Sequence, residues 1–469
     1  MCCCVPKAAA TTVARRNLTD LEERIGPSMT TPLDLVISGA TVVNHDGEGI
    51  RDIGIRDGRI VALGSLGAAK TMDTLDARGL HVLPGVIDTQ VHFREPGLTH
   101  KEDLETGSRS AVAGGVTAVF EMPNTAPLTT CAATLAAKVG AARQRMLCDF
   151  AFFVGGTREN IAHIPELERL EGSAGIKVFM GSSTGNLLVD DDASLDKIIA
   201  RLSRRASFHA EDEDRLKSRM NLRVPGDPAS HPVWRDEEAA LMATKRLVGL
   251  AEKYRRRVHV LHISTAAEMD FLESHKEWAS VEVTPHHLTL AAPECYEKLG
   301  TYAQMNPPVR DARHRERIWK AVADGVVDVL GSDHAPHTRE EKNHAYPQSH
   351  SGMTGVQTLV PIMLDHVNAG RLSLQRFVDL TSHGPQRLFG IRGKGRLAVG
   401  WDADLTIVDL KRRETIKDNW IESRVGWTPY DDNDVTGWPV GTFVRGRRVM
   451  WQGELVKSGF GEPVRFYDV

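Results

Sequence analysis

The sequence predicts an α/β protein: a (β/α)8 barrel inserted into a small β-sandwich that the two flanks of the chain form. From Pro84 onward, apolar β-rich runs alternate with longer amphipathic stretches, and eight such runs can be counted. Eight strands separated by helices are typical of this barrel. On both sides of this region the pattern changes to short strands separated by Gly and Asp turns.

The first 28 residues carry no strong apolar pattern and lack the apolar core of a signal peptide. An arginine pair after an Ala/Thr stretch would suit a transit peptide, but the acidic residues that follow argue against one. The run Cys2–Cys4 offers acylation as a further alternative. We expect residues 1–28 to be a disordered tail, or an extension upstream of a start at Met29.

Residues 29–83 form the first flank, with short strands such as "LDLVISGATVVN". Residues 84–392 carry the eight barrel runs, in the order "GVIDTQVHF", "GVTAVFEMP", "DFAFFVGG", "GIKVFMGS", "ASFHAED", "RVHVLHIST", "ASVEVTPHH" and "VVDVLGSDHAPH". Helical patterns such as "AATLAAKVGAARQRM" lie between most of them. Short strands return over residues 393–469, which predicts that both flanks share one sandwich.

Composition excludes several classes of protein. The chain has 469 residues, 41% of them hydrophobic and 26% charged, which is enough for one large and one smaller domain. Its formal net charge of -4 indicates neither a nucleic-acid nor a membrane partner. No apolar run reaches the ~18 residues of a membrane-spanning helix. The six cysteines lack metal-site or disulfide spacing, which favours a reducing, cytoplasmic location.

The first barrel strand carries an unusual polar face. In "DTQVHFREPG", alternation places Gln90, His92 and Arg94 on one side of a run that follows the strongly apolar "GLHVLPGVI". A strand that is buried on both faces normally carries apolar side chains at these positions. Arg94 has the alternative of a salt bridge that closes the barrel mouth.

Ligand-type side chains also end the later strands, where a barrel active site is built. Lys177 lies in the buried-looking run "AGIKVFM", and an unpaired lysine is almost never fully buried. Strands five, six and eight end with His209, His262 and Asp333. Any one of these has a structural explanation, such as a helix cap at Asp333. Together with His92 on the first strand they make five on separate strands, which predict a divalent metal site of the zinc kind.

The sequence resembles the dihydroorotases among the cyclic amidohydrolases, from about residue 33 to the C-terminus. The motifs that carry the resemblance are "LPGVIDTQVHFREPGLTHKED", "AGGVTAVFEMPNT", "GIKVFM", "HAEDE", "VLHIST", "MNPPVR", "GSDHAPHT" and "GKGRLAVGWDADLTIVDL". The resemblance implies a TIM-like metallohydrolase barrel that holds one or two Zn²⁺ ions. The implied reaction is reversible hydrolysis of dihydroorotate to N-carbamoyl-L-aspartate, in pyrimidine biosynthesis.

The resemblance also implies a role for each site residue. His92 would bind the more buried metal, carbamylated Lys177 would bridge, and His209 and His262 would bind the second metal. Asp333 would bind metal and act as general base, then as general acid. The residues implied for the substrate carboxylate and ring are Arg94, Asn124, His337 and, in the pyrimidine pocket, Asn306. Asn124 has the alternative of holding the turn after Pro123.

Gln90 departs from the family pattern, which has His-x-His where this chain has Gln-x-His. An amide oxygen is a weaker zinc ligand than an imidazole. Gln90 either coordinates or orients the first metal, or leaves that site weak or empty, or marks a chain that has become an inactive scaffold. Because Lys177, His209, His262 and Asp333 are all present, we expect an active enzyme with an altered first metal site.

Two alternatives to a dihydroorotase follow. A hydantoinase or allantoinase shares the barrel and the metal ligands, but a neutral hydantoin has no carboxylate for Arg94. A catalytically inactive scaffold subunit need not hold zinc. We expect a homodimer or homotetramer that binds a small-molecule substrate, with association with aspartate carbamoyltransferase as a further prediction.

Overall fold

A computed structural model describes residues 31–182 and 187–467 and confirms the predicted (β/α)8 architecture. The disorder expected for residues 1–28 falls outside these residues. The first flank contains β1 Leu35–Asn44, β2 Gly47–Arg56, β3 Arg59–Gly64, β4 Thr74–Asp76 and β5 His81–Pro84. The barrel strands are β6 Val86–Val91, β7 Val116–Glu121, β8 Asp149–Gly155, β9 Ser173–Phe179, β10 Ala206–His209, β11 Val258–Val260, β12 Ala279–Val283 and β13 Val329–Leu330. The second flank contains β14 Leu405–Thr415, β15 Asp434–Val444, β16 Arg447–Trp451 and β17 Glu454–Leu455.

The barrel strands coincide with the eight apolar runs of the sequence. They pair in parallel in chain order from β6 to β13. The His92 backbone N–H donates to the His334 carbonyl at 2.7 Å and so joins the end of β6 to the segment after β13. This bond closes the barrel at its C-terminal face, where the predicted site residues lie.

Helices surround the barrel and connect its strands. Their bounds are α1 Leu104–Ala113, α2 Ala132–Ala142, α3 Ile164–Leu167, α4 Asp192–Arg201, α5 Glu213–Ser218, α6 His231–Trp234, α7 Glu237–Tyr254, α8 Ala266–Glu273, α9 Pro285–Thr289, α10 Glu294–Leu299, α11 Ala312–Ala323, α12 Arg339–Asn343, α13 Leu359–Asn368, α14 Leu374–Val378 and α15 Gly384–Phe389. The longest, α7, begins where the Asp236 carboxylate accepts from the Ala239 N–H, and it ends at Arg255 in the left-handed region. None of the helices in the described ranges is long and apolar enough to cross a membrane.

The two flanks form one unit, as predicted. β5 pairs with β1 on one side and with β14 on the other, so a single sheet runs in the order β17-β16-β15-β14-β5-β1-β2-β3, and β4 also pairs with β1. Its apolar core includes Ile37, Ile55, Leu405 and Phe443, all buried. The chain passes from this sheet directly into the first barrel strand.

A buried cluster of charged side chains joins this sheet to the barrel. The Lys394 ammonium lies 2.6 Å from a carboxylate oxygen of Asp149, which begins β8, and 2.6 Å from one of Asp404, which precedes β14. All three side chains are almost completely buried. Removing one partner of a buried ion pair leaves an uncompensated charge in a medium of low dielectric constant.

We therefore predict that Lys394→Met lowers the free energy of unfolding by about 3–5 kcal/mol, because Asp404 loses its ion-pair partner and Asp149 keeps only Arg445. Urea denaturation followed by circular dichroism measures the change. Lys411→Met removes an exposed lysine from β14, and we expect it to change the stability by no more than about 0.5 kcal/mol. Equal stability of the two variants would contradict the role of Lys394 as the cation that joins the sheet to the barrel.

Candidate active site

One cavity at the C-terminal face of the barrel brings the predicted residues together. It is lined by Gln90, His92, Arg94, Asn124, Lys177, His209, His262, Asn306 and Asp333, together with Phe179, Ala335, Ser351 and Gly352. His337 lies immediately behind, with its Nε2 3.3 Å from Arg94 Nη2. All the sequence-predicted site residues are therefore in this cavity or next to it, although β6 and β13 are more than 200 residues apart in the chain.

Lys177 lies on β9 with its side chain almost fully buried. Its Nζ atom is 4.4 Å from the centre of the Phe179 ring and has no hydrogen-bond partner in the described part of the chain. Burial lowers the pKa of this amine to about 7. A large fraction is therefore neutral near pH 7, which is the form of an amine that takes up CO2.

His209 and His262 direct ring nitrogens at each other, with His209 Nδ1 3.0 Å from His262 Nε2. The His209 Nε2–H donates to Glu211 Oε2 at 2.9 Å, which leaves Nδ1 as a bare nitrogen. Glu211 is held in turn by Arg235, whose Nε donates to Oε1 at 3.1 Å. A carboxylate that orients an imidazole in this way is typical of metal-binding histidines.

His92 is oriented by an amide instead of a carboxylate. Its Nδ1–H donates to Asn124 Oδ1 at 2.8 Å, so Nε2 is bare and lies 3.3 Å from Asp333 Oδ1. Burial lowers the pKa of His92, as it does for His209 and His262, and keeps these imidazoles neutral. Asn124, predicted to bind substrate, thus also positions a predicted metal ligand.

Gln90 bonds to Asp333 in this structure. Its Nε2 donates to Asp333 Oδ1 at 3.0 Å, while its buried Oε1 has no partner among residues 31–182 and 187–467. The amide therefore orients the predicted general base, and one oxygen remains that could accept a bond or ligate.

This donor set fits a divalent metal ion. Bare imidazole nitrogens, a carboxylate and an unpaired amine converge in one buried cavity, and buried polar atoms without partners are costly unless a further group joins them. Imidazole and carboxylate are ligands that zinc accepts.

Arg94 forms the other side of the cavity and has almost no exposed surface. Its Nε donates to the Pro336 carbonyl at 3.2 Å, and its Nη1 has no hydrogen-bond partner within the described ranges. Since no described carboxylate forms an ion pair with it, the alternative of a structural salt bridge finds no support here. A buried guanidinium fork that lacks an anion suits a carboxylate ligand.

Three of the nine non-glycine residues with positive φ angles in the described ranges lie at this site. Arg94, His262 and Asp333 have positive φ angles of 64°, 38° and 48°. Residues other than glycine adopt this region rarely, at a cost of order 1–3 kcal/mol each, and they do so mainly at functional sites. The barrel holds these three side chains in place against that cost.

Comparisons with known proteins agree with this geometry. The model of the amidohydrolase family matches residues 81–449, which is most of the chain. The chain belongs to the amidohydrolase family. A second model, for the N-terminal domain of the urease alpha-subunit, matches residues 13–84.

Relatives of this amidohydrolase are similar over nearly their whole lengths. It is 35% identical over 429 residues to the dihydroorotase of Methanosarcina acetivorans, covering 88% of this chain and 91% of that one. It is 34% identical over 459 residues to the L-hydantoinase of Paenarthrobacter aurescens, covering 92% and 98%. The solved L-hydantoinase (dihydropyrimidinase) from Arthrobacter aurescens has a TM-score of 0.88 at 32% identity, covering 92% and 99%. The protein is a dihydroorotase-type amidohydrolase.

The sequence did not lead us to predict three residues near the site of this amidohydrolase, Glu211, Arg235 and His231. Glu211 lies inside the motif "HAEDE", so its spacing of two from His209 was available as a signal. Arg235 and His231 carried no such signal. His231 Nε2 lies 2.9 Å from Asn306 Oδ1 and so fixes the predicted pyrimidine-pocket residue.

We predict that Glu211→Gln lowers metal affinity about 10- to 100-fold, because an amide orients the His209 imidazole less strongly than a carboxylate does. Competition with a chromophoric zinc chelator measures the affinity. Glu268→Gln serves as a matched control, since Glu268 is also buried and its carboxylate accepts from the Thr244 and Thr265 hydroxyls, not from a histidine. Unchanged zinc affinity in Glu211→Gln would rule out the role of Glu211.

Proposed function

We propose that this amidohydrolase is a zinc-dependent dihydroorotase that interconverts (S)-dihydroorotate and N-carbamoyl-L-aspartate in pyrimidine biosynthesis. The observation that carries the proposal is Arg94. A buried guanidinium with an unbonded Nη1, beside a cavity lined by metal-ligand side chains, suits a cyclic amide that bears a carboxylate.

The residues that would hold the metal are Lys177 in carbamylated form, His209, His262 and, on the other side, His92. A divalent ion in such a site supplies Lewis-acid chemistry, by activating water and polarising the amide carbonyl. Carbamylation would turn the unpaired Lys177 amine into an anionic oxygen ligand, which satisfies a buried atom that otherwise lacks a partner.

Asp333 is the residue placed to move the proton. Water adds to the ring carbonyl, Asp333 takes one proton from that water, and the carbonyl–nitrogen bond then breaks. Asp333 returns the proton to the departing ring nitrogen and is a carboxylate again. The new carboxyl group releases the second proton of the water to solvent, so the product carries a carboxylate and a carbamoyl group. Gln90 and His92 lie on either side of Asp333 Oδ1, at 3.0 and 3.3 Å, and limit its orientation.

A hydantoinase is the second candidate, favoured by similarity to the L-hydantoinase of Paenarthrobacter aurescens at 34% identity. A hydantoin lacks the ring carboxylate and would leave Arg94 buried without an anion. Unpaired buried cations are costly. The charge of the substrate therefore separates the two candidates.

We predict turnover of L-dihydroorotate by the zinc-supplemented protein, followed as loss of ultraviolet absorbance, and none of a 5-substituted hydantoin. Arg94→Gln should raise KM for dihydroorotate about 30- to 100-fold, since a charge-assisted bond to a buried partner contributes about 2–3 kcal/mol. Arg205→Gln is the matched control, because Arg205 is a largely buried arginine immediately before β10, at the opposite end of the barrel.

The two remaining outcomes have clear meanings. Turnover of the hydantoin alone would overturn the assignment in favour of a hydantoinase. A zinc-loaded protein inert toward both substrates would favour the scaffold alternative.

For Gln90 we predict a low metal stoichiometry. Because its amide donates to Asp333, we expect about one zinc per chain in the purified protein, and about two after Gln90→His supplies an imidazole. Elemental analysis of both proteins gives the ratio. Two zinc ions per chain in the unchanged protein would show that Gln90 does not weaken the first site.

The homodimer or homotetramer, the association with aspartate carbamoyltransferase and the cytoplasmic location stay predictions.

A further inference from the structure

Behind Arg94 lies a second group of ligand-type side chains. His337, Glu341 and His350 bring ligand atoms within 4.8 Å of one another, as at a metal site. The ammonium of Lys101 is already among them, with Nζ 2.8 Å from Glu341 Oε1 and 3.2 Å from His337 Nδ1. Since a lysine cation fills the position that a metal would take, the group serves another purpose.

The contacts of His337 decide which of its nitrogens carries the proton. An ammonium only donates, so His337 Nδ1 must accept from Lys101 at 3.2 Å. A carbonyl only accepts, so Nε2–H donates to the Ser351 carbonyl at 3.1 Å. The opposite tautomer would rely on Glu341 Oε2, which lies 3.6 Å from Nδ1 and is too distant for a hydrogen bond.

A doubly protonated ring is excluded by its surroundings. His337 is fully buried, and the charged groups near it are Arg94, Lys101, Lys342 and one carboxylate, Glu341. Burial and the three cations outweigh the carboxylate and lower the pKa of His337 well below its ordinary value. The ring is therefore neutral and carries its proton on Nε2.

In this tautomer two donors lie side by side, and the acceptor that the described residues offer to the His337 Nε2–H is the Ser351 carbonyl. Arg94 Nη2 and His337 Nε2 lie 3.3 Å apart, and both carry hydrogens, so they do not bond to each other. An oxygen placed within reach of both would accept from Arg94 and would share the Nε2–H with the Ser351 carbonyl in a three-centre hydrogen bond. A substrate carboxylate supplies such an oxygen and adds the charge that the Arg94 guanidinium lacks.

We propose that Lys101 is a positioning residue that holds His337 in its Nε2–H tautomer, so that His337 and Arg94 together donate to the carboxylate of the substrate. The inference rests on the proposed function and extends it to a residue outside the cavity. Lys101 is held in turn by Glu341, whose Oε2 accepts from the Thr338 N–H at 3.0 Å at the start of α12. The first turn of this helix thereby fixes the cation.

The kinetic test compares Lys101→Met with Lys101→Arg. With methionine, His337 Nδ1 loses its donor, and we expect KM for dihydroorotate to rise about tenfold while kcat stays within about twofold. Lys101→Arg keeps a donor and should restore KM to within about threefold of the unchanged protein. Lys276→Met is the control, since it removes an ammonium–carboxylate pair with Asp328 at the opposite end of the barrel.

A second measurement determines the tautomer of His337 directly and does not depend on enzymatic activity. Protein labelled with ¹⁵N-histidine reports which nitrogen of His337 carries hydrogen, and His337→Gln assigns the signal. We expect Nε2–H in the unchanged protein and in Lys101→Arg, and a shift toward Nδ1–H in Lys101→Met. If Lys101→Met does not fold, Glu341→Gln replaces it, because it loosens the hold on Lys101 and should change both readouts in the same direction.

The outcomes distinguish this inference from the proposed function. An Nδ1–H signal in the unchanged protein, or an unchanged tautomer in folded Lys101→Met, overturns the role of Lys101 even if dihydroorotate is turned over. A protein inert toward dihydroorotate overturns the proposed function, and the tautomer measurement then still decides what Lys101 does to His337.

Discussion

The structure of the site depends on keeping ligand nitrogens neutral and uncovered inside a buried cavity. Burial itself lowers the pKa of His92, His209, His262 and Lys177, so that each keeps a lone pair near neutral pH. A neutral imidazole still has one N–H to place, and the bonds to Glu211 and Asn124 take up that hydrogen on the side away from the cavity. The opposite nitrogens belong to residues that line the same cavity.

On the Arg94 side of the cavity the situation is reversed. The Arg94 backbone has a positive φ of 64°. The Arg94 guanidinium is charged, and it forms no ion pair with a carboxylate of the described residues, of which Asp333 has the largest electrostatic effect on it. It is buried beside the Pro336 carbonyl and the His337 imidazole. Such an arrangement is costly in the free protein and is relieved when an anion binds. Under the proposed function, selectivity for a carboxylated ring would follow from desolvation, since a neutral ring would leave that cost in place.

Much of this was predictable from the sequence, for a physical reason. Barrel strands are continuous apolar runs, so a lysine such as Lys177 or a histidine at a strand end is conspicuous. The residues that were missed, Arg235 and Lys101, lie outside those runs, and their roles arise from pairing between segments distant in the chain. Lys101 meets His337 across more than 200 residues, and no periodicity indicates such a contact. The choice of tautomer at His337 likewise depends on the Ser351 carbonyl, which only the folded chain places there.

The side chain at position 90 determines whether this position offers a metal ligand or orients the neighbouring Asp333. An imidazole at this position would offer a third lone pair beside His92 and Asp333, whereas the amide directs an N–H at Asp333 Oδ1. Asp333 Oδ1 lies 3.3 Å from the bare His92 nitrogen, and both atoms are acceptors. Without the hydrogen bond from Gln90, a cation would be needed between these two acceptors. The donated hydrogen thus holds Asp333 without a second charge. This accounts for how a chain with Gln at position 90 keeps His92 and Asp333 next to each other in the cavity.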